Sequence, residues 1–179
     1  IVGRSSGVRL SVDQADQAIF GYVLLNDWSA RDIQTWEYRP LGPFQAKATA
    51  TTISPWIVTS AALNEFRVPT PPRKVPLFDH LKDTGPMLYD IDLTADLTTE
   101  RGEITRLSET NYREMYYSAA QMLAHHSSSG CPMRVGDLLG SGTISGPNKR
   151  NRGSMLELSW GGADPLTLSN GASRSYLED

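Results

Sequence analysis

At 179 residues and 39% hydrophobic content, the chain is long enough for one domain with a hydrophobic core and too short to require two. A net charge of -3 argues against the basic surface that nucleic acid or an anionic membrane would require. The single cysteine, Cys131, excludes a disulfide within the chain, and the sequence has no twenty-residue apolar span or secretion signal, so we expect a cytoplasmic protein.

Both ends of the sequence are typical of an internal fragment. The chain opens at Ile1 rather than methionine. At the other end, an apolar pattern starts at Tyr176 and Leu177 where a domain would usually finish. We therefore expect a piece of a longer chain.

Residues 19–25 form an apolar run that is followed by an acid. The run is too short for a buried helix and comes after a predicted short helix at 11–18, so it predicts an interior strand. Asp27 then lies where this strand ends. Loops at the ends of interior strands hold reactive side chains on a rigid support, which makes Asp27 a candidate functional residue.

A helix is predicted directly after Asp27. Ser29 and Asp32 form a variant of the capping box, which predicts a helix that runs to about Glu37. Pro40 and the Gly-Pro pair at 42–43 end it, because proline cannot continue a helix.

Three polar side chains share one face of this predicted helix. Arg31, Gln34 and Tyr38 recur at spacings of three and four residues, while apolar side chains such as Ile33 occupy the opposite side. A polar helix face is often simply solvated, and that alternative stays open. The position of this face beside Asp27 is what makes it a candidate site.

Lys47 is the second candidate. Lys47, Thr49 and Thr51 alternate, so on a strand they would point to the same side. A lysine on an edge strand also prevents aggregation, and spacing does not decide between that role and catalysis.

The middle of the chain shows clear patterns with little chemistry. Proline-rich residues 69–76 predict a surface loop. Strict alternation over 90–98 predicts a half-exposed antiparallel strand, and its aspartates are assigned to solvent because the glycine and closing glutamate of a calcium loop are absent.

Residues 111–126 show the clearest helical pattern in the chain, an apolar stripe along one face. His125 and His126 are adjacent and point about 100° apart on a helix, so they cannot chelate one ion together. Histidines are favoured at a helix C-terminus, which explains this pair without a site. His80, in a loop, is interpreted as solvated.

The last part of the chain contributes Thr143 and Glu157. Residues 135–147 are rich in glycine but lack a phosphate-loop ending, so they predict a tight turn that approaches something small. Residues 154–160 are predicted to form a strand. On it, Glu157 is either exposed or a partly buried carboxylate that needs a partner.

We expect the candidate side chains to meet in one cleft. Hydrogen-bond donors and cationic side chains placed together would suit a reaction that builds negative charge on oxygen. No serine or cysteine nucleophile motif occurs, which leaves attack by an activated water. One carboxylate is too little for a divalent cation, which prefers several oxygens. The candidates are Asp27, Arg31, Gln34, Lys47, Thr143 and Glu157.

Several segments closely resemble the fumarylacetoacetate hydrolase family, from about Ile19 to the end of the chain. They are Leu25-Asn26-Asp27-Trp28-Ser29-Ala30-Arg31-Asp32-Ile33-Gln34, Trp36-Glu37-Tyr38, Pro40-Leu41-Gly42-Pro43-Phe44, Ser54-Pro55-Trp56, His125-His126-Ser127, 141–147 and 153–160. The Asp-x-x-Ala-Arg-Asp core is shared across the family, whereas the Trp-Glu-Tyr and Pro-Leu-Gly-Pro-Phe segments are typical of the branch that gives the family its name.

The resemblance implies a fold and an activity. The fold is a β-rich α+β mixed roll with few helices, in a homodimer. The activity is metal-dependent hydrolysis of a carbon–carbon bond in a small diketo acid, 4-fumarylacetoacetate, giving fumarate and acetoacetate in tyrosine and phenylalanine breakdown. Mg²⁺ or Ca²⁺ would bind the diketone oxygens.

The resemblance also implies residue roles. Asp27 matches a metal ligand, and Lys47 and Thr51 match positions at a nearby magnesium. Arg31, Gln34 and Lys47 match donors that stabilise charge. Gln34, Tyr38 and Thr143 match substrate contacts, and Glu157 matches the carboxylate that orients a catalytic histidine.

Some of the family pattern is missing. The family's other acidic ligands and its catalytic histidine precede the strand at Ile19, outside this chain, and Ala46, Ala48 and Thr49 replace family residues beside the lysine. The isolated fragment is therefore expected to be inactive. Two alternatives stay open: a hydrolase of another acylpyruvate or diketo acid, and a non-catalytic fragment for folding or dimerisation.

Overall fold

The computed structural model describes residues 1–177, in which short helices and strands are mixed. The helices are α1 (Val12–Ala18), α2 (Arg31–Leu41), α3 (Ala119–Ser127) and α4 (Met155–Leu158). One-turn 3-10 helices occupy Gln45–Lys47, Asn64–Phe66, Asp79–Leu81, Tyr112–Glu114 and Lys149–Asn151. This confirms a mixed helix-and-sheet fold with few helices.

The strands of the described part pair two by two, always antiparallel. They are β1 (Gly21–Tyr22), β2 (Leu25–Asp27), β3 (Thr51–Ile53), β4 (Val58–Thr59), β5 (Arg67–Val68), β6 (Leu88–Tyr89), β7 (Asp92–Thr98), β8 (Ile104–Asn111), β9 (Leu166–Thr167) and β10 (Ser173–Arg174). β1 pairs with β4, β2 with β3, β5 with β6, β7 with β8 and β9 with β10.

The hairpin of β7 and β8 confirms the half-exposed strand predicted at 90–98. Its register runs from Asp92 opposite Asn111 to Thr98 opposite Ile104. Leu93 is partly buried between exposed neighbours, as alternation requires. The predicted loop at 69–76 is also confirmed, because no helix or strand covers it.

The main core lies between α1 and α3. Each helix begins with a capping box, Ser11 with Gln14 and Ser118 with Gln121, which satisfies backbone N–H groups that would otherwise lack partners. α1 confirms the short helix predicted at 11–18. Small side chains such as Ala15 let the two helices approach closely. The core contains Val2, Leu10, Val12, Ala15, Ala18, Met87, Ala120, Leu123, Ala124 and Met133.

Replacing Leu123 by alanine is expected to lower the free energy of unfolding by about 2–5 kcal/mol, because a buried side chain is lost and a cavity remains. Urea denaturation followed by circular dichroism measures the change. Leu41→Ala is the matched control, since Leu41 is exposed and should lose less than about 0.5 kcal/mol. Equal losses in the two variants would contradict the assignment of the core.

A second core of tyrosines anchors the strand that leads to the candidate site. Tyr22 on β1 packs edge-on against Tyr89 and Tyr112, with ring centroids 5.3 and 6.1 Å apart. Burial, together with the Tyr89 phenol, raises the pKa of Tyr112 to about 12, and burial also raises the pKa of Tyr22. The fixed position of β1 in turn restricts the position of β2 and Asp27.

The prediction of one interior strand at 19–25 is wrong. The run divides into β1 and β2, which pair with different partners, and Leu24 between them is exposed. Gly21 lets β1 approach β4 closely, because a Cβ there would lie 2.5 Å from the carbonyl oxygen of Val58. The prediction that Asp27 ends a strand is confirmed.

Helix boundaries differ where a serine or asparagine has another role. α2 begins at Arg31 after Ala30, because the Ser29 hydroxyl donates to the Asp27 carbonyl instead of capping the helix. The helix predicted from 111 begins only at Ala119, after the Ser118 cap, and Asn111 caps a separate 3-10 turn.

Two predicted strands are helical turns. Lys47 ends a 3-10 helix and β3 begins at Thr51, so Lys47 and Thr51 do not alternate on one strand. At 154–160, the Ser154 hydroxyl accepts from the N–H of Glu157 and starts α4. Alternation over so few residues did not distinguish a strand from a capped turn.

Candidate active site

Asp27 and Lys47 form an ion pair where β2 ends. The ammonium of Lys47 donates to a carboxylate oxygen of Asp27 at 2.8 Å and to the Ser29 hydroxyl at 2.7 Å. The Asp27 side chain is 49% exposed and the Lys47 side chain is 31% exposed. A pair this exposed adds little stability, so its main effect is to fix the position of the ammonium.

Thr51 lies next to this ion pair, on the neighbouring strand β3. It lies opposite Asp27 in the register of β2 and β3. The Ala30 N–H, at the entrance to α2, donates to the Ala46 carbonyl at 3.0 Å, which holds the lysine segment against the helix. Asp27, Ser29, Lys47 and Thr51 are called the lysine cluster below.

The polar face of α2 begins within one turn of the lysine cluster. The Arg31 guanidinium donates to the side-chain oxygen of Gln34 at 2.8 Å, as their spacing predicted, and the exposed Tyr38 follows one turn later. The opposite side is not packed: Trp36 is 87% exposed. The whole helix lacks buried residues.

Glu37 was not among the predicted site residues. Its carboxylate accepts the backbone N–H groups of Phe44, Gln45 and Ala46 at 2.6, 3.1 and 2.9 Å. The Ala46 N–H, then those of Phe44 and Gln45, hold the pKa of Glu37 below its usual range, and desolvation opposes them. The sequence signal for this contact was an acidic residue a few positions before the Gly-Pro pair at 42–43.

The contribution of Glu37 to stability is expected to depend on pH. Because the folded pKa is lowered, the stabilisation is complete above the ordinary glutamate pKa of about 4.3 and disappears as pH falls through the folded value. Urea denaturation of the wild type and Glu37→Gln between pH 7 and pH 3 should therefore give a difference that shrinks in acid. A difference that stays constant would contradict this interpretation.

Glu157 lies in a second group, called the glutamate cluster. It accepts from the Ser145 hydroxyl at 3.0 Å and from the Ser154 hydroxyl at 2.8 Å, so the partly buried carboxylate has the partners that it needs. Thr143 lies against Gly153, because a Cβ added at Gly153 would be 2.8 Å from the Thr143 methyl group, and the Gly153 N–H donates to the same Ser145 hydroxyl.

The structure thus joins the predicted residues into groups. Asp27 lies with Lys47 and Arg31 with Gln34, while Thr143 lies against Gly153, which shares the Ser145 hydroxyl with Glu157. Among residues 1–177 no hydrogen bond or ion pair links the two clusters, and their meeting in one cleft stays a prediction. A groove of about 510 Å³ along β7, β8 and 147–151 contains none of the predicted site residues.

The described residues fit only part of a metal site. Across residues 1–177, no group of three or more histidine, cysteine, aspartate or glutamate side chains is arranged to hold an ion. Asp27 offers one carboxylate and Thr51 a hydroxyl opposite it. The Lys47 ammonium cannot ligate a cation while it is protonated, which leaves its backbone carbonyl.

Among the described residues, no hydrogen bond joins a histidine to either cluster. His80 and His125 stack, with ring nitrogens 3.3 Å apart, and His125 and His126 occupy the last turn of α3 as predicted.

No described helix has the length and apolar character to cross a bilayer.

Comparisons with known proteins show which family the sequence resembles. A family model for the C-terminal part of fumarylacetoacetate (FAA) hydrolase matches residues 1–169. Fumarylacetoacetases from Homo sapiens, Aspergillus fumigatus and Arabidopsis thaliana are 48%, 49% and 46% identical over 99%, 97% and 99% of this chain. The chain spans 42%, 41% and 42% of their lengths.

A solved structure, that of Cg1458, resembles this fold with a TM-score of 0.50 and 20% identity. The likeness covers 78% of this chain and 47% of that one. At this identity the likeness concerns the fold alone.

Proposed function

Because the chain belongs to the fumarylacetoacetate hydrolase family, we propose that it contributes to hydrolysis of the carbon–carbon bond of 4-fumarylacetoacetate. Water adds to the ketone carbonyl carbon of the fumaryl group, and the bond from that carbon to the acetoacetate carbon breaks. The electron pair leaves with that carbon as an enolate, which takes a proton. The products are fumarate and acetoacetate, released in the last hydrolytic step of tyrosine and phenylalanine breakdown.

The observation that carries the proposal is the position of the Lys47 ammonium, which two hydrogen bonds fix. Asp27 and Ser29 fix it beside the first turn of α2, where Arg31 and Gln34 are hydrogen-bonded to each other. Donors fixed in advance stabilise an oxyanion or enolate better than water does, because they need no reorganisation during the reaction.

The remaining roles follow the same chemistry. Gln34, Tyr38 and Thr143 are proposed to contact the substrate. Glu157, fixed by two serine hydroxyls, is proposed as a positioning residue for the group that accepts the proton of water. His80, His125 and His126 are not assigned that role, since among the described residues none of them contacts Glu157.

Metal dependence is part of the proposal. Asp27 would hold Mg²⁺ or Ca²⁺ through a carboxylate oxygen, with the Thr51 hydroxyl and the Lys47 carbonyl nearby. When bound, the ion would polarise the diketone and stabilise negative charge on its oxygens.

The proposal includes a cytoplasmic homodimer in which these elements form the family's mixed β-roll. Exposed aromatic side chains support an interface, since Trp36 and Trp56 are 87% and 82% exposed and aromatic residues are enriched where proteins associate.

An absorbance assay tests the proposed activity. Protein expressed from its complete coding sequence should abolish the diketone absorbance of 4-fumarylacetoacetate, and chelation of divalent ions should stop the reaction. An acylpyruvate serves as the comparison substrate. Faster turnover of the acylpyruvate would favour the related diketo acid hydrolase, and no turnover of either would favour a non-catalytic role.

A further inference from the structure

The carboxylate of Glu37 joins the end of the regular part of α2 to the segment that carries Lys47. Three consecutive backbone N–H groups, from Phe44 to Ala46, point at its two oxygens. These groups open the 3-10 helix Gln45–Lys47, where backbone donors otherwise lack partners within the helix. Glu37 therefore acts as a side-chain cap supplied from another helix.

The cap reaches Lys47 through Ala46. Ala46 is fully buried, its N–H donates to Glu37, and its carbonyl accepts the Ala30 N–H at 3.0 Å. Both peptide groups of Ala46 are thus held by the two ends of the same helical stretch. Lys47 is the next residue, and its own N–H donates to the Phe44 carbonyl at 3.1 Å.

We propose that Glu37 is a positioning residue that places the ammonium of Lys47 relative to Arg31 and Gln34. Since α2 carries Arg31, Gln34 and Glu37 within two turns, this one helix sets the geometry of the donors Arg31 and Gln34 and, through Glu37, of Lys47. This inference rests on the proposed hydrolysis of a diketo acid. It gives Glu37, the middle residue of Trp36-Glu37-Tyr38, a function in the reaction without contact with the substrate.

Kinetics of Glu37→Gln and Glu37→Ala test the proposal in protein expressed from its complete coding sequence. The Gln variant keeps one accepting oxygen, so kcat should fall about tenfold, and about a hundredfold in the Ala variant, because small displacements of a catalytic group have effects of this order. KM should change less than about threefold, since Lys47 acts on charge that develops in the transition state.

Glu100→Gln is the matched control. Glu100 is exposed and has no hydrogen-bond or ion-pair partner among the described residues, so its loss should leave kcat unchanged. If kcat per folded molecule in Glu37→Gln stays within twofold of the wild type, the proposal is overturned. A lower melting temperature with unchanged kcat overturns it equally, because Glu37 would then act on stability alone.

A measurement without substrate separates this inference from the proposed activity. In NMR spectra, the amide protons of Phe44 and Ala46 should move upfield in Glu37→Gln as a charged acceptor is lost, and the side-chain resonances of Lys47 should move towards those of free lysine. If wild-type protein fails to hydrolyse the diketo acid, these shifts still decide the positioning role. Unchanged Lys47 resonances would refute it.

Discussion

Replacing Lys47 by methionine is expected to lower kcat/KM for 4-fumarylacetoacetate by about 10²- to 10³-fold, the effect of losing one preorganised donor to a developing oxyanion. Methionine keeps much of the side-chain volume but cannot donate to Asp27 or Ser29. Initial rates of diketone loss over a range of substrate concentrations measure the effect.

Lys149→Met is the matched control for this substitution. Lys149 also forms an ion pair with an aspartate, Asp164, but that pair lies outside both clusters. The control should stay within about twofold of wild-type kcat/KM, as surface substitutions usually do. Equal losses at the two lysines would show that Lys47 has no special part in the reaction.

Asp27→Asn is expected to abolish binding of Mg²⁺ or Ca²⁺ at the site and to lower kcat/KM by roughly a thousandfold, because a bound cation contributes several kcal/mol of charge stabilisation. Asparagine preserves the shape but removes the charge that would hold the ion and that now pairs with Lys47. Calorimetric titration with each ion gives the affinity independently of the rate.

The control here is Asp164→Asn, which breaks the ion pair of Lys149. It should leave both metal affinity and rate unchanged. Retained metal binding in Asp27→Asn, or hydrolysis that survives a chelator in the wild type, would refute the assignment of Asp27 as a ligand.

Local patterns in the sequence predicted the elements whose determinants lie within a few residues. The strand at 90–98 was predicted from strict alternation, which acts over short distances. The short helix predicted at 11–18 is local as well, since the structure shows that its capping box joins Ser11 to Gln14. The polar pair of Arg31 and Gln34 was found for the same reason, since a helix brings residues three apart together.

Contacts between distant segments could not be predicted in this way. The bond from Lys47 to Asp27 joins residues twenty positions apart, and its geometry depends on a one-turn helix that short-range alternation presented as a strand. Glu157 was misplaced for a similar reason, because Ser154 starts a turn of helix there. Glu37 was missed because no periodic pattern marks a carboxylate that binds another segment's backbone.

The pairing of α1 with α3 has a consequence for the order of folding. Leu10 donates to Ser127 across 117 positions, and Val135 donates to Ser5 across 130. Such contacts close very long loops, and their entropy makes them slow to form. The Glu37 bonds, at most nine positions apart, are local by comparison. The segment that carries Lys47 is therefore able to assemble early, before the N-terminal segment meets Ser127 and Val135.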